Sequence, residues 1–326
     1  MNPFEQVPLG ATDVRVTRLG LGLAPLGGLY QAVGDETAAA TVDTAWAHGI
    51  RFFDTAPLYG AGRSERRAGT ALADRDRSAY TLATKVGRLL VPTGAVESVE
   101  MWAEPTGVEP RFDFSAAGTR RSYQESLARL GVDAADILHI HDPDQHFAEA
   151  MAGSRPALVE LRTQGRVRAV SAGMNQSAML TDFARTGDFD CFLLAGRYTL
   201  LDQSGLGDLL PECATRGISV IAGGVYNSGI LADPTPGATY DYQPASETML
   251  GKARAIQDVC KRHGVPLRAA ALQFPLGHPS VASVLIGMRS PAEVDDAVAM
   301  ASVEIPGQLW RDLVSAGLLA EGVPTP

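Results

Sequence analysis

Cysteine is scarce in this chain: three in 326 residues, at Cys191, Cys213 and Cys260. Their scattered positions have no metal-ligand spacing, so they read as reduced thiols in or near the core of a cytoplasmic protein. Long apolar runs are missing as well. The most apolar stretch, residues 19–30, is broken by Gly20, Gly22, Pro25, Gly27 and Gly28, and it is too short to span a bilayer. Basic residues are outnumbered, 28 Lys and Arg against 37 Asp and Glu, which leaves a net charge of -9 and a pI near 5.2. That balance argues against a nucleic-acid or anionic-membrane surface and fits a soluble enzyme. Residues 1–10 have no basic segment followed by an apolar one, so no secretory signal is expected. No linker or low-complexity run divides the chain. Residues 1–326 are therefore expected to form one domain, a length that barrels reach as single units.

What is present is a regular alternation. Strand-like segments at 19–23, 51–54, 80–85, 136–141, 167–172, 191–195, 218–222 and 281–286 alternate with helix-like segments. The helical segments are 35–48, 64–73, 115–130, 147–164, 177–185, 206–215, 246–263 and 291–301. Ser64 is a candidate N-cap, and Gly49, Gly131, Gly165 and Gly264 stand where helix C-caps are expected. Eight strand–helix pairs with mostly short connections imply parallel strands with right-handed crossovers, and eight favour a closed (β/α)8 TIM barrel over an open sheet. Two pieces fall outside the repeat. Residues 7–18 read as an N-terminal β-hairpin, with 10–13 as its turn, able to plug the bottom of the barrel. Residues 306–317 read as an extra C-terminal helix. Two long connections, 86–114 and 223–245, follow strands and so lie at the C-terminal mouth, where long loops tend to carry function.

Three strands end on ionisable side chains. R-F-F-D closes on Asp54, T-L-A-T-K on Lys85, and D-I-L-H-I-H on His141, while Tyr59 follows in the loop P-L-Y-G. Each has a bland alternative: a turn aspartate, a loop aromatic, a snorkelling lysine, a satisfied core histidine. Read together at the C-terminal ends of barrel strands, they form a site for proton transfer. A phenol titrates near 10, and a neighbouring ammonium would lower that value. A carboxylate would hold the lysine charged and oriented, and a histidine would donate to a substrate oxygen.

These runs resemble the aldo-keto reductase superfamily. The matching segments are F-F-D-T-A-P-L-Y-G-A-G-R-S-E, A-T-K, R-R-S-Y-Q-E-S-L-A-R-L-G-V-D-A-A-D-I-L-H-I-H, S-A-G-M-N, I-A-G-G-V-Y-N-S-G-I-L and I-G-M-R-S-P-A-E-V. They cover nearly the whole chain in order. The resemblance implies Tyr59 as general acid/base, Lys85 and Asp54 as its tuning pair, and His141 as the residue that orients the substrate oxygen. It also implies an extended nicotinamide dinucleotide across the barrel mouth. A narrower resemblance, carried by D-C-F-L-L-A-G-R-Y-T-L-L-D-Q, is to aldose 1-dehydrogenases acting on L-fucose, D-arabinose and L-galactose type sugars, with pyridoxal 4-dehydrogenase close by.

For the cofactor the resemblance implies Asn175 at the carboxamide and Tyr226 stacked on the nicotinamide. It assigns Asn227, Ser228, Gly229 and Leu231 to the pyrophosphate loop, and Arg289, Ser290 and Glu293 to the adenosine end. The family's Ser-Asn pair reads Met174-Asn175 here, and Ala195 replaces its usual glutamine. Arginine favours a 2′-phosphate and glutamate a free 2′-hydroxyl, so NAD(P) is expected, leaning to NAD. The connection 86–114 is expected to cover the substrate through Trp102, with Phe112 and Arg111 as further candidates for a lid or a subunit contact. The expected activity is NAD(P)-dependent oxidation of an aldose C1 hydroxyl to a lactone, with no metal. Alternatives are pyridoxal 4-dehydrogenation, general aldehyde reduction, and a non-enzymatic cofactor-sensing subunit. Expected partners are a small sugar or aldehyde, not nucleic acid or membrane, with an oligomer left open.

Overall fold

A computed structural model describes residues 2–97 and 101–326. Eight parallel strands close into a barrel in chain order. They are β1 (Leu19–Gly22), β2 (Phe52–Asp54), β3 (Thr81–Val86), β4 (Ile137–His141), β5 (Ala169–Met174), β6 (Cys191–Ala195), β7 (Ser219–Gly223) and β8 (Val281–Gly287). The helices between and after them are α1 (Asp35–His48), α2 (Arg63–Leu72), α3 (Ala116–Leu130), α4 (Arg155–Thr163), α5 (Ser177–Arg185), α6 (Leu209–Arg216), α7 (Glu247–Arg262), α8 (Leu267–Gln273), α9 (Pro291–Ser302) and α10 (Gly307–Ser315). The (β/α)8 architecture, the hairpin and the C-terminal helix are those expected from the sequence. Among the described residues no helix is long and apolar enough to cross a membrane.

The strands are buried on both faces, and their period of two sorts the side chains. Leu19, Leu21, Phe53, Leu82, Leu138 and Val170 join the large core beneath the helices. Phe52, Ala83, Ile137, Ala169, Cys191, Leu193, Ile221 and Leu285 fill the barrel interior with Leu9, Val14 and Val16 of the N-terminal hairpin. That hairpin pairs Gln6–Pro8 with Arg15–Thr17 and stoppers the barrel bottom. The alternation then carries up each strand: inward Phe52 leads to Asp54, Ala83 to Lys85, and Ile137 to His139 and His141. Above the apolar layers, the inward positions become polar.

Several local expectations are corrected. Ser64 does not cap α2; Gly62 holds that place. The Ser64 hydroxyl is buried, donating to the Leu23 carbonyl at 2.8 Å and sharing a hydrogen with Thr55 at 2.8 Å. The helix expected over 147–164 is interrupted by a π-turn at Ala150–Ser154. A Cβ at Gly153 would collide with the Phe114 carbonyl, so the backbone there packs directly on the preceding loop. The helix expected from 206 starts at Leu209, capped by Asp208. Helix α8 was not expected. The connection 86–114 is a two-stranded antiparallel ribbon, Arg88–Glu97 with Thr106–Phe112. Residues 98–100 of it lie outside the described residues. The three cysteines are buried and free.

Candidate active site

The inward polar layer converges at the C-terminal mouth. Lys85 Nζ donates to Asp54 Oδ1 at 2.5 Å and to the Thr55 carbonyl at 2.9 Å, with both side chains of the pair 2% exposed or less. The same ammonium lies 4.8 Å from the centre of the Tyr59 ring. The rings of Tyr59 and His141 meet edge to face, their centres 5.8 Å apart. The three residues predicted from the strand ends and the loop tyrosine are thus brought together. Tyr59, Lys85 and His141 line a cavity of about 460 Å³ together with Trp102, Asn175 and Tyr242, and Gly173 and Ala195 leave it room. A larger hollow of about 610 Å³ lies on the outside, between α2 and α3. Its arginines are already paired, Arg77 and Arg168 with Asp136, and it holds none of this chemistry.

Burial alone would raise the Asp54 carboxyl; the Lys85 ammonium and His139 outweigh it and hold the group below its ordinary value. His139 Nε2 stands 3.4 Å from Asp54 Oδ2, and its Nδ1 meets Ser171 Oγ at 2.7 Å. Burial, then the charges of Arg88 and Lys85, keep His141 well below its usual value and hence neutral. A neutral imidazole has one N–H to donate and one acceptor.

The phenol departs from expectation. Burial first, then the Asp54 and Asp142 carboxylates, push Tyr59 well above its ordinary value. The Lys85 ammonium over the ring does not overturn this rise, because much of its charge is answered by the Asp54 carboxylate it faces.

Of the loop candidates, Trp102 is buried and its ring centre is 6.0 Å from that of Tyr59. It is docked by backbone bonds, Tyr30 N to Met101 O at 2.8 Å and Ala103 N to Gly28 O at 2.9 Å. Phe112 instead is 52% exposed, stacked on Phe114 beneath the Arg88 guanidinium, and Arg111 pairs with its neighbour Glu109 at 3.6 Å. Neither lines the cavity.

The cofactor candidates divide. Asn175 lines the cavity. Tyr226 does not; it packs on the helical core, within reach of the charges of Asp296 and Arg268. Tyr242, 56% exposed, is the aromatic at the mouth. It sits at the tip of the hairpin pairing Thr239–Tyr240 with Gln243–Pro244. That tip is anchored by Asp241 on Arg197 at 2.9 and 3.0 Å, and the Tyr242 N–H donates to Ser228 Oγ at 3.0 Å.

In the loop after β7, the N–H groups of Asn227, Gly229 and Leu231 are already bonded to the carbonyls of Gly224 and Tyr226. The Leu231 side chain is in the core. These backbone groups build the turn. Asn227 is 2% exposed, donates Nδ2 to the Gly196 carbonyl at 3.2 Å, and leaves its buried Oδ1 without a partner. Nothing fills the space where a Cβ on Gly229 would stand. An unpaired buried acceptor suits an incoming hydroxyl donor.

At the last helix, Ser290 is the N-cap of α9, accepting from Glu293 N at 3.2 Å. Glu293 accepts from Arg289 N at 2.9 Å and pairs with the guanidinium at 3.2 Å. Arg289 also reaches Gln31 Oε1 at 3.2 Å. Arg289 and Glu293, read as separate ribose contacts, are in fact each other's partners.

Sequence reasoning missed Arg88 and Asp142, both on the cavity wall. Arg88 lies three residues past Lys85 and Asp142 directly follows His141, so position alone was the available signal.

The Aldo/keto reductase family matches residues 18–317. The chain is 38% identical to D-threo-aldose 1-dehydrogenase from a Pseudomonas species over 97% of both chains. It is 39% identical to pyridoxal 4-dehydrogenase from Microbacterium luteolum over 97% of this chain and 98% of the relative. Among solved structures, an aldo-keto reductase from Bacillus halodurans overlays with a TM-score of 0.77 at 24% identity, covering 98% of this chain and 97% of the other.

Proposed function

The chain belongs to the aldo/keto reductase family and is an NAD(P)-dependent oxidoreductase, and we propose that it oxidises the C1 hydroxyl of an aldose to a lactone. Residues 1–326 act as one catalytic unit. A single observation carries it: a phenol, a buried Lys–Asp pair and a neutral imidazole meet at the floor of one cavity of about 460 Å³. A nicotinamide bound there would take the hydride from C1. Tyr59 accepts the hydroxyl proton. His141 donates its N–H to the same oxygen. Lys85, fixed by Asp54, stands over the Tyr59 ring and stabilises the phenolate once it forms. Trp102 covers the sugar and keeps water out. Asn175, Asn227, Ser228 and Arg289 are the residues that would hold the dinucleotide.

The 39% identity to a pyridoxal 4-dehydrogenase favours pyridoxal as the second reading. A panel of aldoses, pyridoxal and simple alcohols, each with NAD and NADP, separates the two. Oxidation of L-fucose, D-arabinose or L-galactose type sugars is expected. Turnover confined to pyridoxal or simple alcohols would refute the aldose reading.

Trp102→Ala is expected to raise the sugar KM roughly 10-fold, the worth of a large apolar contact, with a smaller change in cofactor affinity. An unchanged sugar KM would remove Trp102 from the substrate site.

Cofactor choice has its own test. With Glu293 and Arg289 paired, both dinucleotides are expected to work, with a lean to NAD. Glu293→Gln frees the guanidinium and is expected to move the NADP/NAD ratio of kcat/KM upward about fivefold, as a half-exposed charge pair of about 1 kcal/mol allows. Arg289→Ala moves it the other way. Ratios that stay put in both variants would put the adenosine elsewhere.

A further inference from the structure

We propose that Asp142, backed by Arg88, accepts a hydrogen bond from the hydroxyl next to the reacting carbon and thereby selects hydroxylated substrates over plain aldehydes and alcohols. The inference rests on the reading above only in taking Tyr59 and His141 as the contacts of the reacting oxygen. Asp142 leaves β4 with φ of 42°, a left-handed conformation that few L residues other than Asn and Asp adopt. Its N–H is pinned to the Gly173 carbonyl at 3.0 Å. This turn keeps the carboxylate on the cavity wall, with Oδ2 3.3 Å from His141 Nε2 and 3.4 Å from Arg88 Nη2. Among the described residues, no protein donor reaches its Oδ1.

Arg88 is fixed from two further directions. Its Nη1 donates to the His141 carbonyl at 3.2 Å, and its guanidinium lies 4.7 Å from the centre of the Phe112 ring. The proton path through Tyr59 needs neither residue. A carboxylate is an acceptor with room for several donors, and this one stands beside His141 Nε2, the imidazole taken above to meet the reacting oxygen. A hydroxyl on the neighbouring carbon reaches it. A substrate without that hydroxyl covers the carboxylate and leaves it unpaired, which costs binding.

The test compares reduction of glyceraldehyde and propanal by the full-length protein, by Asp142→Gly and by Asp142→Asn. Glycine takes the left-handed backbone without strain and asparagine tolerates it, and thermal unfolding checks that both variants stay folded. The parent is expected to favour glyceraldehyde in kcat/KM by roughly 10²-fold or more. In Asp142→Gly the ratio falls toward one, chiefly through the glyceraldehyde KM. In Asp142→Asn, which can still accept, it is intermediate. A parent ratio near one overturns the proposal. So does an equal loss on both aldehydes in Asp142→Gly, which would make Asp142 a support for His141 alone. The aldehyde pair reports on hydroxyl selection whichever compound is the natural substrate. Failure of the parent to oxidise any aldose would refute the aldose reading and leave this ratio as the measure of Asp142.

Discussion

Tyr59→Phe is expected to lower turnover by about 10⁴-fold, the upper range for loss of a positioned proton carrier, while cofactor affinity changes by less than about twofold. The substitution removes one oxygen and keeps the ring against Lys85, His141 and Trp102, so the cavity keeps its shape. The phenol's raised pKa sharpens the prediction. Oxidation needs the phenolate, and the phenolate fraction grows tenfold with each pH unit below the pKa. In the parent, kcat/KM for oxidation should therefore climb with pH across the neutral range, and the residual activity of Tyr59→Phe should not follow that climb. Stopped-flow hydride transfer and cofactor titration, each over a pH series, measure both. Near-normal turnover in the variant would end the role assigned to Tyr59.

Lys85→Met is expected to destabilise the fold by about 3–5 kcal/mol at neutral pH, as when one partner of a buried ion pair is removed, and to cut activity as well. Asp54 would be left charged beside His139 with no ammonium to answer it. The pH dependence follows from the direction of the shift. In the parent the Asp54 carboxyl is held below its ordinary value, so its contribution is present above the unfolded value of about 3.9 and is lost as pH falls through the lower folded value. In Lys85→Met the chief depressing charge is gone and burial raises the carboxyl. Its penalty is then full at neutral pH and is relieved by protonation as pH falls toward the unfolded value. The stability gap between parent and variant should shrink on going from pH 7 toward pH 5, and Lys85→Met combined with Asp54→Asn should recover much of the loss. Urea unfolding at the two pH values reads all three quantities. A gap under about 1 kcal/mol at pH 7 would mean the pair is not the buried unit that its 2.5 Å contact indicates.

How far the chain could be read in advance follows from which signals are local. Helices α1 and α5 and strand β6 end where their caps and apolar runs said they would. Helix α8 was missed because Leu267 and the run from Ala269 to Gln273 are buried, so it presents no polar stripe to betray a helical period. The helix expected over 147–164 is there but widens into a π-turn at Ala150–Ser154, where Gly153 packs on Phe114, a contact made across the fold.

The site divides along the same line. Strand alternation is a property of the chain itself, so the inward, mouth-facing placement of Asp54, Lys85 and His141 was determined by sequence, as was the choice of residue types able to move a proton. Loop side chains have no such period. Trp102 was named from the sequence, but only the packed structure kept Phe112 and Arg111 out of the cavity and put Tyr242, not Tyr226, at its mouth, because each choice depends on what a distant segment covers. Only the structure, too, paired Glu293 with Arg289 and brought Arg88 against Asp142. It also reversed the expected direction of the Tyr59 shift. A pKa sums burial and charge over everything packed around the group, and the lysine that the sequence set beside the phenol is, in the folded chain, already answered by Asp54.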